Sequence, residues 1–254
     1  IRQTAQPLGV ALAGLVLPSL ARQTGAFGAL GVPAALCLLS ALLVIGFAPN
    51  PVRAPRAVGA SAGSPYRTPV LWRLHAASAM LVVPQFAITA FGTEYLVRQQ
   101  HWTVTAAGAF VAVIQIAGAV SRIASGVWSD RVGSRLRPMR QLAVGAALVL
   151  VAFALGDAFA PWLTIVALAV GGIVTVADNG LAFTAVAEIA GSAWSGRALG
   201  IQNTGQNIVA SLTPIALGAV VGVAGYAIGF VAAAAAPVAA IALTPVRHEP
   251  ETGW

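Results

Sequence analysis

Acidic and polar side chains stand inside long apolar runs of this sequence, where they could bind a solute or carry a proton. In the run from Pro161 to Ala190, Thr175 precedes Asp178 and Asn179 by three and four residues, the spacing of one helix face. An ionised Asp near the middle of a membrane costs about 2.5–3.5 kcal/mol on insertion scales. Two interpretations of Asp178 therefore stay open: proton coupling or solute binding, and a structural partnership with a cation such as Arg122 or with an amide.

Amides and hydroxyls recur at helical spacing in three further runs, so that each set shares one helix face. The sets are Gln85, Thr89 and Thr93; Gln115, Gly118, Arg122 and Ser125; and Asn203, Gln206, Asn207 and Ser211. Such groups can hydrogen-bond a solute, or they can hold helices together at about 0.6 kcal/mol per bond. Both interpretations stay open. The candidates for a translocation path are Asp178, Asn179, Thr175, Gln85, Thr89, Gln115, Asn203, Gln206 and Asn207.

The elements that must position these side chains are membrane-spanning helices. Hydrophobic residues make up 58% of the 254-residue chain and charged residues only 8%, whereas about a quarter of a soluble domain is charged. The apolar blocks are about 20 residues long, which matches the hydrocarbon thickness of a bilayer. Alternating segments of about 10 residues, as in a membrane β-barrel, are missing. The sequence predicts an all-α integral membrane protein.

Uncharged runs bounded by Arg, Pro, Gly or Asp predict eight spans. They cover residues 3–21, 26–48, 71–97, 104–128, 139–155, 161–190, 198–222 and 225–245. The last two are separated at residues 222–225, because the charge-free stretch 198–246 is too long for a single crossing.

The arginines predict how these spans are oriented. The chain has 14 basic residues, all of them Arg, and a net charge of +7. If residues 126–141 face the cytoplasm, eleven arginines lie on that side, Arg22 and Arg98 lie outside, and Arg122 lies within a span. This bias follows the positive-inside rule, so the charge sets topology and indicates no nucleic-acid partner. We expect a multi-pass plasma-membrane protein in contact with lipid, with both ends of this chain in the cytoplasm.

A segment rich in Pro, Gly, Ser and Arg, residues 49–70, predicts a cytoplasmic linker. It separates two spans, residues 1–48, from six spans in residues 71–246, and a tail of residues 247–254 follows. Six helices form a self-contained unit of two three-helix repeats, whereas two helices do not. Further helices are therefore expected upstream.

The stretch GVWSDRVGSR, residues 126–135, joins the second and third spans after the linker. It resembles the Gly-x-x-x-Asp-Arg-x-Gly-x-Arg loop signature of the major facilitator superfamily, or MFS, which recurs between the second and third helices of each six-helix half. The stretch AEIAGSAWSGRALGIQNTGQ, residues 187–206, resembles the junction of the tenth and eleventh helices of that family. The resemblance implies that the eight spans correspond to helices five to twelve, and that the first four helices of the same carrier are absent from this sequence.

The resemblance also implies a function. An MFS member is a secondary transporter that moves a small solute by alternating access, and a proton is a candidate coupling ion. The GPxxGG motif of drug–proton antiporters is not found in the first span, where QPLGVALAGLVLP stands at residues 6–18. No metal-ligand spacing, phosphate loop or nucleophile motif is found, so we expect no enzyme, no cofactor and no metal. The alternatives are a truncated, non-transporting carrier remnant and a membrane-embedded enzyme or receptor.

Residues 126–135 are predicted to act as a cytoplasmic gating loop. Gly126 would let another helix approach closely, and Gly133 would allow a turn that bulkier residues cannot form. By the resemblance, the loop would hold the two halves of the carrier together, with Asp130 at the start of the first span. One of three arginines would pair with Glu188, and the candidates are Arg131, Arg135 and Arg122.

Overall fold

The computed structural model describes residues 5–48 and 63–248 of the chain. Within these residues it contains helices and no strand. Six helical stretches are long and apolar enough to cross a membrane by length and composition. Residues 1–4, most of the predicted linker and residues 249–254 of the predicted tail lie outside the described part.

Seven α-helices make up the described part of the chain, which we number in order. They are α1 (Ala5–Phe47), α2 (Val70–Phe86), α3 (Gly92–Arg98), α4 (Val104–Val132), α5 (Leu136–Phe159), α6 (Pro161–Ala190) and α7 (Ser195–Leu243). A π-helical turn, Ala87–Phe91, joins α2 to α3, so that Val70–Arg98 is one continuous apolar stretch. Short 3₁₀ turns lie at Pro65–Arg67 and Val246–His248.

The two longest helices are each interrupted by one glycine. Helix α1 has 43 residues and α7 has 49, which at about 1.5 Å per residue is at least twice the thickness of a bilayer core. Gly25 in α1 has φ 72° and ψ 178°, and Gly225 in α7 has φ 84° and ψ 173°. Glycine tolerates these angles because it has no Cβ, so each range consists of two helices that meet at a kink.

Helix α2 is irregular beside Gln85, one of the predicted site residues. Pro84 lies inside the helix and lacks a backbone N–H, and the π-helical turn begins three residues later. The hydroxyl of Thr89 donates to the carbonyl oxygen of Gln85 at 2.8 Å, and that of Thr93 donates to the carbonyl of Thr89 at 2.9 Å. These hydroxyls therefore satisfy backbone groups of their own helix.

Helices α2, α5, α6 and α7 surround two apolar clusters. In one of them Phe153 stacks on Phe230 at 3.6 Å between ring centroids, and Tyr95 packs edge-on against Phe153 at 4.9 Å. The other contains Leu74, Met139 and their neighbours from α6 and α7. Helix α4 lies against α6, and the first part of α1 lies against α4. Most of α1 beyond Gly25 is exposed.

Candidate functional site

Six carboxamide side chains surround a cavity of about 210 Å³, which we call the carboxamide cavity. They come from four helices: Gln6 on α1, Gln85 on α2, Asn179 on α6, and Asn203, Gln206 and Asn207 on α7. The rings of Phe86 and Phe183 and the side chains of Val82 and Ala210 complete the lining. The part of the lining that the structure describes therefore combines many hydrogen-bonding groups with no ionisable side chain.

Three of the carboxamides hold one another in fixed orientations. Asn179 Nδ2 donates to Gln85 Oε1 at 3.1 Å, and Gln206 Nε2 donates to Asn179 Oδ1 at 3.2 Å. All three side chains are buried. The amide nitrogen of Gln85 and the carbonyl oxygen of Gln206 have no hydrogen-bond partner among the described residues, and both groups line the cavity. They are the groups that a bound molecule can reach.

Hydrogen bonds continue from this cavity towards the beginning of α2. Gln206 Nε2 donates to Ser78 Oγ at 2.7 Å, and Gln202 Nε2 donates to the same oxygen. Gln202 Oε1 bonds to His75 Nδ1, and His75 Nε2 bonds to the hydroxyl of Tyr66 at 2.9 Å. This series from Tyr66 to Gln206, which we call the hydrogen-bond chain, connects the 3₁₀ turn at the end of the linker with the cavity.

The direction of the bonds in this chain follows from the chemistry of its members. A carboxamide oxygen only accepts, so His75 must donate from Nδ1 to Gln202, and a neutral ring then leaves Nε2 to accept from Tyr66. Carboxamides do not titrate, so a proton on His75 cannot pass through Gln202 and Gln206 to the cavity. The hydrogen-bond chain is instead suited to holding α2 and α7 in register.

Asp178 lies on α6 but does not line the carboxamide cavity. Its side chain is 3% exposed and interacts electrostatically with Arg122 of α4, which is also buried. Arg122 Nε donates to the carbonyl oxygen of Val176 at 2.8 Å, and its Nη2 donates to Gln6 Oε1 at 3.2 Å. Gln6 therefore stands between this ionic pair and the cavity, because it contacts Arg122 and also lines the cavity.

The translocation candidates are thus divided between two environments. Gln85, Asn179, Asn203, Gln206 and Asn207 line the carboxamide cavity. Thr89 and Gln115 line a separate void of about 20 Å³, and the hydroxyl of Thr175 donates to the Gly171 carbonyl at 2.7 Å. Thr175, Asp178 and Asn179 meet different surroundings: Thr175 bonds within α6, Asp178 interacts with Arg122 of α4, and Asn179 contacts α2 and α7. Asn179 alone of the three faces the cavity.

The loop between α4 and α5 is organised by Arg135. Helix α4 ends at Val132 and is followed by Gly133, which has left-handed angles of φ 65° and ψ 28°. Arg135 pairs with Asp130, its Nη1 donates to Ser129 Oγ at 2.9 Å, and its Nε lies 3.4 Å from Glu188 Oε1 at the end of α6. Burial acts to lower the pKa of Arg135, but Asp130 and Glu188 raise it above its usual value.

Comparison with known proteins identifies the family. The sequence profile of the Major Facilitator Superfamily matches residues 1–214. The chain belongs to the major facilitator superfamily. It is 42% identical over 253 residues to the uncharacterized MFS-type transporter Rv2994 of Mycobacterium tuberculosis strain H37Rv, and 41% identical to the uncharacterized MFS-type transporter MT3072 of strain CDC 1551. The match covers 98% of this chain and 57% of each relative, so the chain spans little more than half of their length.

Membership of the MFS, with six apolar helical stretches, makes the chain a multi-pass membrane protein of a transporter family. In its loop signature, Arg135 is the one of the three expected arginines that lies beside Glu188. Arg131 is exposed and forms no hydrogen bond or ion pair with the described residues, and Arg122 is held by Val176 and Gln6 instead.

One contact expected around this MFS loop differs in the structure. Asp130 pairs with Arg135, five residues further along the chain, and residues 1–4 at the start of the predicted first span lie outside the described residues. A Cβ built on Gly126 would have no described atom within 4 Å, so the close helix approach expected there is not formed in the described residues. The reason is that α1 crosses α4 near Gly108, on the other part of the helix.

Five polar residues of the carboxamide cavity and the hydrogen-bond chain were not among the sequence candidates: Gln6, Tyr66, His75, Ser78 and Gln202. The signal was present in the spacing, because His75, Ser78 and Gln85 recur at intervals of three and seven residues on α2. Gln202 precedes Gln206 by four residues on α7. His75 lies near the beginning of α2, where it is buried and bonded on both ring nitrogens.

Proposed function

We propose that the complete protein is a secondary transporter that moves a small solute by alternating access, and that the carboxamide cavity is part of its solute path. One observation carries this proposal: the cavity is built from both sides of the linker. Gln6 precedes the linker, and the other five carboxamides follow it. Transporter sites of this kind lie where two helical repeats or bundles meet, near the middle of the membrane.

The proposed topology has eight crossings. The glycine kinks at Gly25 and Gly225 support this count, because each divides an over-long helix into two parts of about the length of a bilayer crossing. Both ends of the chain then lie in the cytoplasm of a plasma-membrane protein, as the arginine distribution favours. The length of the two M. tuberculosis relatives is consistent with four further helices in the complete carrier.

We infer that Arg122 and Asp178, which interact electrostatically, are the candidate coupling centre of this transporter. Both groups are buried, and a buried ionic group is costly and commonly functional in a membrane helix. Arg122 bonds to Gln6, which lines the carboxamide cavity. Protonation of Asp178 would weaken the attraction between Asp178 and Arg122. This would change the hydrogen bond by which Arg122 orients Gln6. Asp178 would then act on the solute through Arg122 and Gln6.

The loop signature contributes to alternating access by making the inner end of the C-terminal bundle rigid. Arg135 connects the end of α4 with the end of α6 through Asp130 and Glu188. All three residues belong to the part of the chain after the linker. We propose that this loop keeps α4, α5 and α6 together as one body while the bundle moves against α1.

Reconstitution tests the proposed function. The complete carrier is placed in proteoliposomes, and the uptake of a panel of labelled small solutes is measured with and without a proton gradient. We expect uptake of at least one solute, reduced at least tenfold by Asn179→Ala, because this change removes both bonds that orient Gln85 and Gln206. The matched control is Gln99→Ala, an exposed carboxamide outside the cavity. Absence of uptake of every solute, with the carrier folded, would indicate a non-transporting remnant.

A further inference from the structure

The chemistry of the carboxamide cavity restricts the kind of molecule that it can hold. Among the described residues, its lining has six carboxamides, two phenyl rings and no ionisable side chain. We propose that the cavity binds an uncharged solute that presents several hydroxyl or amide groups beside an apolar face. The binding itself does not depend on transport. Only the conclusion that such a solute is also moved across the membrane rests on the proposed function.

Charge is the first restriction. An ion that leaves water for a poorly solvated site loses hydration energy, and it is stabilised there only by an opposite charge or a full set of hydrogen bonds. Arg122 and Asp178 are buried, but they interact with each other, and Arg122 is also bonded to Val176 and Gln6. Neither lines the cavity. A charged solute would therefore find no counter-ion on this wall.

The remaining hydrogen-bonding groups are the second restriction. The amide nitrogen of Gln85 can donate, and the carbonyl oxygen of Gln206 can accept. Asn207 uses its Nδ2 to donate to the backbone of Asn203, which leaves its oxygen as an acceptor. The side chain of Asn203 has no partner among the described residues and can do both. Both donors and acceptors thus remain available in the cavity lining, which suits hydroxyl and amide groups because these also donate and accept.

The apolar part of the lining is the third restriction. Phe86 on α2 and Phe183 on α6 contribute phenyl rings, and such rings favour flat apolar surfaces such as the face of a sugar ring or a nucleobase. The volume of about 210 Å³ is below the range of about 300–1,000 Å³ of pockets that enclose drug-sized ligands. The wall therefore fits a small solute with one polar edge and one apolar face.

A matched series of probes tests the charge of the preferred solute. The complete carrier is purified in detergent, and dissociation constants are measured by titration calorimetry. The probes are a hexose with its amino sugar and its uronate, and a nucleoside with its aminodeoxy form and the carboxylate formed at its hydroxymethyl carbon. Within each series the members differ mainly in charge. We expect at least one neutral probe to bind, at least tenfold tighter than either charged relative.

Variants then locate the bound probe. Gln85→Ala and Asn203→Ala should each raise the dissociation constant of the neutral probe about tenfold, because each leaves a group of the solute without its hydrogen bond. Gln99→Ala, an exposed carboxamide elsewhere, should leave its dissociation constant unchanged. Tighter binding of a charged member, no binding of either neutral probe, or unchanged binding in both cavity variants would overturn the proposal.

The outcome for the solute class can be separated from that for transport. A neutral probe that binds in the cavity but is not taken up into proteoliposomes would support the solute class and contradict the transport function. Uptake of a charged solute, with no binding of the neutral probes, would support the transport function and contradict the solute class.

Discussion

The backbones of Gly14 and Gly108 touch where α1 crosses α4. A Cβ built on Gly108 would lie 2.6 Å from the carbonyl oxygen of Gly14, and one built on Gly14 would lie 3.0 Å from that of Gly108. Small residues allow this approach between membrane helices. The contact matters because α1 precedes the linker and α4 follows it, so the two glycines fix how the two parts of the chain meet.

Gly108→Ala should loosen this crossing. The added methyl group has no space beside the backbone of α1, and overpacking of this kind costs about 1–3 kcal/mol. We expect a lower thermal midpoint of the complete carrier and reduced uptake. Gly9→Ala on α1 is the control, because a Cβ there would have no described atom within 4 Å. Equal midpoints for the two variants would show that the crossing is not tight in the membrane.

Arg135→Lys should weaken the loop between α4 and α5 although it keeps the positive charge. A lysine has a single ammonium group and cannot reproduce the separate bonds that the guanidinium makes to Ser129, Asp130 and Glu188. We expect a loss of stability of about 1 kcal/mol, measured by thermal unfolding in detergent. Arg131→Lys serves as the control, since Arg131 is exposed. A loss of similar size in both variants would contradict the role given to Arg135.

Ser78→Ala should disturb the hydrogen-bond chain at its branch point. The Ser78 hydroxyl accepts from both Gln202 and Gln206, so its removal leaves one buried N–H of each amide without a partner, at about 1–3 kcal/mol each. We expect a lower thermal midpoint together with weaker solute binding, because Gln206 also orients Asn179. Ser211→Ala, which removes an exposed hydroxyl of α7, should have little effect on either measurement.

Helix positions could be predicted from the sequence, whereas the helix faces that meet could not. The predicted span 161–190 coincides with α6, and the break expected at residues 222–225 contains the kink at Gly225. These features depend on local hydrophobicity and on glycine. Spacing shows which residues of one helix share a face, but the neighbour of that face depends on distant parts of the chain. Asn179 and Asp178 are adjacent, yet one faces α2 and α7 and the other interacts with α4.

The same limit applies to the loop between α4 and α5. Sequence position leaves three arginines as candidates to pair with Glu188, and only the packing of α4 against α6 selects Arg135. It also explains why His75 was not a sequence candidate, because its partners Tyr66 and Gln202 lie in other elements.

Asp178→Asn should separate coupling from structure. The change leaves Arg122 buried without its acidic partner, which costs about 3–5 kcal/mol when a buried pair is broken. We expect a large fall in the thermal midpoint, with partial recovery in the double variant that also carries Arg122→Gln. If the pair couples transport to protons, solute uptake in Asp178→Asn should no longer respond to the proton gradient. A response equal to that of the unaltered carrier would assign the pair a structural role alone.

Cysteine accessibility tests most directly whether the carboxamide cavity is a water-filled part of the solute path. The complete carrier first receives Cys37→Ser, which removes the cysteine of this chain. A new cysteine then replaces either Ala210 in the cavity lining or Leu148 on the exposed side of α5. Labelling by a membrane-impermeant maleimide is measured with and without a transported solute. We predict that the Ala210→Cys variant is labelled and that solute slows its labelling, while the Leu148→Cys variant is not labelled because it faces lipid. Labelling of neither variant, or labelling at Ala210→Cys that solute leaves unchanged, would contradict a solute path through this cavity.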